Sequence, residues 1–203
     1  MRVFYATSAV KYSAKMCANF ILDLTFPHSY TVVQTELSPY GEHPPIYFPG
    51  GTRTGGKDGL LLRFTAESGD QWSGCFAFGD YEKCGVFASP HPDRVCVVSN
   101  GTGYWVHVSE PQQSSKMHVL PIRDVRIVTD AQILLLADFT SLSAFGPDGQ
   151  LWKRRVCWDD LKISVIQQGI VSGAGYDPTN SKHAESQFAL ELATGRILQS
   201  PWS

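Results

Sequence analysis

Short apolar runs, broken by polar turns that end in glycine, dominate this chain of 203 residues. In the second half the runs come in fours. Gly85–Ala88, Arg94–Ser99, Tyr104–Val108 and Met117–Leu120 form one group, and Val125–Thr129, Ile133–Ala137, Ser141–Phe145 and Leu151–Val156 the next. Ile163–Gln167, Ile170–Ala174, Gln187–Leu192 and Arg196–Gln199 form the last. Apolar runs of this length between Gly, Pro, Asn and Asp predict strands. Asn100-Gly101 between two of them predicts a tight hairpin, because both positions tolerate positive φ. Helical periodicity is scarce: the best helical candidate, Ala9–Phe20, carries no continuous apolar stripe.

One turn recurs. It reads RFTAESGDQW at Arg63–Trp72, AFGPDGQLW at Ala144–Trp152 and ALELATGRIL at Ala189–Leu198. Each copy ends its turn in glycine and places a large apolar residue three positions later: Gly69 with Trp72, Gly149 with Trp152, Gly195 with Leu198. Weaker copies around His28 and Gln113 fill the gaps, so the step is 36 to 46 residues. A repeat of that length, one hairpin per unit, predicts β-propeller blades. The expected fold is all-β, a small propeller of about five four-stranded blades, with residues 1–203 as a single domain. Trp72 and Trp152 are then expected between blades. The Gly- and Pro-rich residues 41–59 are expected to form a long loop in the second unit, and the first unit is the least regular.

The three hairpins resemble the repeats of the pyrroloquinoline-quinone-type (PQQ-like) propeller family, in which an Ala-Leu-Asp strand end leads through Thr-Gly to apolar residues and Trp. Ala189-Leu190-Glu191-Leu192-Ala193-Thr194-Gly195 is the nearest copy, and Ala144 to Trp152 is close. The resemblance implies the architecture and a binding role. Family members that hold the quinone carry adjacent cysteines over its ring; this chain has no Cys-Cys pair, so no cofactor is implied. Five blades would resemble instead the small sugar-binding and glycoside-cleaving propellers.

Charge and motifs narrow the function. The net charge is −2 with no basic run, which leaves nothing to hold nucleic acid or an anionic membrane. No apolar stretch approaches the ~20 residues of a membrane span. The N-terminal MRVFYATSAV, interrupted by Thr7 and Ser8 and followed by Lys11, reads as a first strand rather than a signal peptide. Five cysteines, an odd count, argue for reduced thiols in a cytoplasmic setting; buried free thiols are expected, with a Cys75–Cys84 pair across neighbouring strands as the alternative. Pro49–Gly59 lacks the spacing of a phosphate-binding loop, and the six scattered histidines give no metal site. No nucleophile elbow occurs.

Propeller topology adds a candidate site. The links between blades and the loops between second and third strands open on one rim. Here they would gather Arg53, Tyr81, Arg123, Asp138, Trp158, Asp159, Tyr176, Asp177 and His183, with Asp124 alongside. Aromatics beside carboxylates and Arg suit a sugar or peptide ligand. The expected role is a non-catalytic binding or interaction module for a protein, or for a small glycan or peptide, with a second copy of the chain as a further partner. The alternative is a five-bladed glycoside hydrolase, whose paired carboxyl groups would stand roughly 5–10 Å apart.

Overall fold

The computed structural model describes residues 17, 19–36, 44–54, 56–179 and 185–200. Most of the helical candidate Ala9–Phe20 lies outside these residues, and Phe20 itself opens a strand. The strands are β1 (Phe20–Asp23), β2 (Tyr30–Gln34), β3 (Ile46–Phe48), β4 (Gly59–Ala66), β5 (Gln71–Ala77), β6 (Cys84–Ala88), β7 (Arg94–Ser99), β8 (Thr102–His107) and β9 (Ser114–Lys116). They continue as β10 (Asp124–Val128), β11 (Ile133–Ala137), β12 (Ser141–Gly146), β13 (Gly149–Arg155), β14 (Asp159–Gln167), β15 (Ile170–Tyr176), β16 (Glu185–Glu191) and β17 (Ile197–Gln199). The one helical element among the described residues is a 3₁₀ turn at Thr129–Ala131.

The strands form four sheets that follow one another along the chain. Sheet I has the order β2-β4-β5-β3, sheet II β1-β6-β7-β8-β9, sheet III β10-β11-β12-β13 and sheet IV β14-β15-β16-β17. Sheets III and IV are antiparallel meanders whose strands match the predicted runs closely. The fourth strand of sheet II is Ser114–Lys116, wholly before the expected Met117–Leu120, which is not in a strand. Residues 41–59 contribute β3, which runs parallel to β5 on the outside of sheet I.

Three cores alternate with the four sheets. The first joins Val32, Leu62, Phe64 and Phe76 of sheet I to Val86, Val95, Val97 and Tyr104 of sheet II. The next joins Phe87, Cys96 and Val98 of sheet II to Val125, Leu134, Leu136 and Phe145 of sheet III. The last joins Ile133, Leu135, Leu142 and Trp152 of sheet III to Leu161, Val171, Phe188 and Leu190 of sheet IV. Successive side chains of a strand point to opposite faces, so Val95 and Val97 serve one core and Cys96 and Val98 the other. A strand buried on both faces must be apolar where it is covered, and Val95 to Val98 of β7 and all of ILLLA in β11 are.

The end sheets alternate instead. β4 buries Leu60, Leu62, Phe64 and Ala66, and leaves Arg63 exposed on the other face. Thr31, Thr65 and Gln71 stand in register on that outer face of sheet I, as Ser172, Ala189 and Gln199 do on the outer face of sheet IV. These outer faces mix polar side chains with exposed aliphatics: Val33 on sheet I, and Val165 and Ile170 on sheet IV. No core joins sheets I and IV among the described residues, so the array does not close on itself.

The repeated turn lies at equivalent places. Gly149 and Gly195 sit in the connections between third and fourth strands of sheets III and IV, both with positive φ. Gly69, at φ 89, joins β4 to β5. An inter-sheet hydrogen bond shows that β5 corresponds to β13. Trp72 Nε1 donates to Val108 O just beyond β8 at 2.9 Å, and Trp152 Nε1 donates to Leu192 O just beyond β16 at 2.8 Å. The tryptophan three residues after the glycine therefore ties its sheet to the next one. Trp152 is buried as expected; Trp72 is half-buried and stacks on Phe64 at 4.4 Å. The connection around Gln113 is the corresponding one in sheet II, but the stretch around His28 joins strands of different sheets and is no hairpin. The described residues thus carry four units where the spacing suggested five.

The cysteine reading is corrected as well. Cys17 and Cys84 form a disulfide across a sequence separation of 67, with Cα atoms 5.8 Å apart. The parallel alignment of β1 on β6 brings Cys17 to the head of β6, which spacing along the chain does not reveal. Cys75 is not the partner: it is a buried free thiol, like Cys96 and Cys157. The odd count therefore gives no argument for a reduced setting.

Candidate functional site

The links between sheets and the loops at one end of sheets II to IV are stapled to one another by backbone bonds. Tyr81 N–H donates to Asn100 O at 3.0 Å, Ile122 N–H to Gly101 O at 2.7 Å and Arg123 N–H to Ala137 O at 2.8 Å. Leu161 N–H donates to Phe139 O, and Trp158 N–H to Tyr176 O, each at 3.1 Å. Each link is thus held by a hairpin of the sheet it enters or has left. Gly101 is required here. Its φ is 78°, and a Cβ would lie 2.6 Å from the Cβ of Tyr81.

On this base a compact group forms. Arg123 donates from Nε to Tyr81 Oη at 3.1 Å and from Nη2 to Asp160 Oδ1 at 3.2 Å. Its guanidinium lies over the Phe139 ring at 4.4 Å and the Tyr81 ring at 5.7 Å, and those two rings meet edge to face. Such stacking adds to the ion pair with Asp160 in holding the planar cation. Desolvation opposes the charge on Arg123, but the hydrogen bonds to Tyr81 and Asp160 raise its pKa overall. Arg123 Nη1 is buried and has no hydrogen-bond partner among the described residues. Asp160 also accepts from Lys162 at 2.8 Å, which in turn reaches Glu185 at the same distance. Lys162 first, and Arg123 after it, hold the Asp160 carboxyl below its usual range.

Three aromatic side chains stand out of this end. Phe139 is 37% exposed, Trp158 42% and Tyr176 39%, and the Arg155 guanidinium covers the Trp158 ring at 4.8 Å. Asp159 pairs with Tyr176 in the β14–β15 ladder, and its Oδ1 accepts from Asp160 N–H.

Of the residues expected at the rim, Tyr81 and Arg123 are in direct contact, and Trp158, Asp159 and Tyr176 adjoin one another. Asp138 and Asp177 occupy the expected loops, but their side chains turn inward. Asp138 Oδ1 accepts from Thr140 N–H at 2.8 Å and Ser141 N–H at 2.7 Å. Asp177 Oδ1 accepts from Thr179 N–H and Oγ1–H, and Oδ2 from Ser186 Oγ. The Thr179 bonds in particular lower the Asp177 pKa. Asp23 and Thr25 make the same turn. The spacing Asp-x-Thr, present at Asp23, Asp138 and Asp177, is the signal that marks these acids as turn formers. Arg53 lies elsewhere: its guanidinium donates to Pro44 O, and neighbouring Gly51 abuts Gln112 in the β8–β9 connection. Asp124 binds Arg126. His183 falls outside the described residues. Sequence reasoning missed Phe139 and Asp160. A phenylalanine between the Asp and Thr of a turn was the available sign of an exposed ring.

Among the described residues, no group of three or more His, Cys, Asp or Glu could hold a metal ion, and no helix is long and apolar enough to cross a membrane.

No family model matches the chain, and no curated protein matches it. The likeness to PQQ-type repeats therefore remains one of turn sequences. Among solved structures, the N-terminal domain of Nup159 matches with a TM-score of 0.39 at 10% identity, over 88% of this chain and 52% of that one. A chain of the S. cerevisiae complex of a Dbp5 variant with Nup159, a Gle1 variant, IP6 and ADP matches with a TM-score of 0.38 at 11% identity, over 89% of this chain and 51% of that one. The chain spans about half the length of these solved chains.

Proposed function

We propose that this chain is a non-catalytic interaction module, a propeller-like arc of four blades that takes a protein or peptide partner on the loop end of sheets II to IV. The observation that carries the reading is the Tyr81–Arg123–Phe139–Asp160 group. It draws its members from two inter-sheet links, a hairpin and the head of β14, and it presents Phe139 at the same end of the sheets as the exposed Trp158 and Tyr176. Exposed aromatics next to a pre-positioned arginine are what binding hot spots are built from. The described links of the rim are tied by backbone bonds before binding, which lowers the ordering cost of association.

Three rim acids, Asp138, Asp160 and Asp177, favour binding over hydrolysis. A glycosidase needs one carboxyl group with a raised pKa to act as general acid. Asp160 and Asp177 are shifted the other way, and Asp138 is engaged by the backbone of its own turn.

Peptide and glycan arrays, probed with wild type and with a Phe139→Ala, Trp158→Ala double variant, test the reading. A peptide signal that disappears in the variant supports it. Binding that survives the double substitution moves the site elsewhere, and a signal confined to glycans replaces the protein partner with a sugar.

A further inference from the structure

β6, β10 and β14 each open an antiparallel meander and stand on its leading side. In sheet II that side is covered. β1 lies parallel along β6, with Phe20 to Asp23 opposite Cys84 to Phe87. The chain thus contains one worked case of an extended aliphatic segment, Phe-Ile-Leu-Asp, added as an extra strand. On β10 and β14 the equivalent edge has no neighbouring strand among the described residues.

The two open edges differ. β10 is short and carries Arg126, which is exposed and paired with Asp124. β14 is nine residues long. Its first half holds Asp159, Asp160 and Lys162, with register shifts between Asp159 and Lys162 and again between Ile163 and Val165, devices that discourage pairing at an edge. Beyond the second shift, Val165-Ile166-Gln167 has no charge and keeps a regular register with β15, and Val165 is 47% exposed.

The hairpin fixes the direction of the backbone there. Gln168 and Gly169, both at positive φ, close β14 onto β15, with Gln167 opposite Ile170. In a two-residue hairpin the flanking pair exchanges hydrogen bonds, and bonded and non-bonded pairs then alternate. Ile166, opposite Val171, is a non-bonded pair, so its N–H and C=O point away from β15 toward the open edge. Beside that edge runs a groove of about 370 Å³, lined by Ile127 and Val128 of β10, Ile163, Val165 and Ile166 of β14, and Arg126.

We propose that the open edge of β14 accepts an extended peptide strand of a partner protein, aliphatic at alternating positions and free of Lys and Arg, added as β1 is added to β6. Backbone bonds to Ile166 supply the pairing. The aliphatic side chains fill the groove between β14 and β10. Arg126 at its border disfavours a basic segment. The site is separate from the loop end that carries Arg123, and its occupancy is independent of that reading.

The test uses the full chain and a fluorescein-labelled synthetic peptide copying Asn19–Thr25, the segment that already occupies the equivalent edge. The expected results are saturable binding by fluorescence anisotropy and at least tenfold slower amide exchange at Ile166 in the presence of peptide. Val165→Lys, which sets a charge on the exposed face of this edge, should weaken binding about tenfold or more, while Phe139→Ala, Trp158→Ala should leave it unchanged. If Val165→Lys fails to fold, the exchange at Ile166 in wild type decides alone. The proposal is overturned by absence of binding up to ~1 mM peptide, or by binding that leaves Ile166 exchange unaltered. It is also overturned if Ile166 becomes protected without peptide as concentration rises and a dimer appears by light scattering, because the occupant is then a second copy paired antiparallel about Val165.

Discussion

Trp152 offers the most direct test of the stacked-sheet architecture. Its side chain is buried between sheets III and IV, its ring lies against Gly195, and its Nε1–H donates to Leu192 O across the interface at 2.8 Å. Truncation to alanine removes most of a large aromatic side chain from a site flanked by two rigid sheets, which limits collapse into the void. Large aromatic-to-alanine changes in such sites cost about 3–5 kcal/mol. The buried Leu192 carbonyl would also lose its partner, which places Trp152→Ala in the upper part of that range. For a chain of this size each kcal/mol moves Tm by about 2–4 °C, so the melt should fall by roughly 8–20 °C. Trp152→Phe separates the two contributions. It keeps much of the packing and loses the donor, and should cost about 1–3 kcal/mol. Urea unfolding followed by circular dichroism measures both without relying on indole fluorescence. If Trp152→Ala melts within about 2 °C of wild type, a shift worth only about 1 kcal/mol, the residue does not join two sheets and the repeat logic fails.

Gly195→Ala should cost about 1–3 kcal/mol, because φ is 67° and the new Cβ would sit 2.6 Å from the Trp152 ring. Gly69→Ala, at φ 89° with open space around it, should cost about 1 kcal/mol from backbone strain alone, and equal losses in chemical denaturation would refute the ring contact. Asp177 is held below its unfolded pKa, so its stabilisation is present above that value and is lost as pH falls through the depressed one. Asp177→Ala should therefore melt lower than wild type at neutral pH, and the gap should close on acidification below about pH 4; a gap independent of pH would contradict the turn's role. Burial pushes the Cys75 and Cys157 thiols up to about 11 and that of Cys96 up to about 12. At pH 8 a thiol reagent should label them only on unfolding, giving three thiols per chain in denaturant without reductant and five after reduction, and rapid labelling of the native protein would show the interior to be open.

The strands of sheets III and IV, most of sheet II, and their grouping in fours were legible because short apolar runs between turn residues are local signals. The strands of sheet I were not. Which sheets are interior and which terminal came from the structure: ILLLA is buried on both faces, whereas Gly59–Ala66 buries one. The recurrent glycine turn was equally local: a positive φ recurs at Gly69, Gly149 and Gly195, and the reach of an indole at Trp72 and Trp152. Part of the loop end was legible too: Tyr81 and Arg123 fell into contact because topology puts links and hairpins at the same end of successive sheets. Tertiary structure decided the rest. Asp138 and Asp177 look like site acids in a sequence, and only the backbone amides around them show that their carboxylates are spent on turns. The pairing of Cys17 with Cys84 depends on β1 leaving its sequence neighbours to lie along β6, an exchange of edges that no local propensity encodes. Whether the repeats closed into a ring depended on the outer faces of the first and last sheets. A repeat pattern specifies how each unit packs on the next. It does not specify how many units there are, or whether the last finds the first, because those follow from long-range packing between residues far apart in the chain.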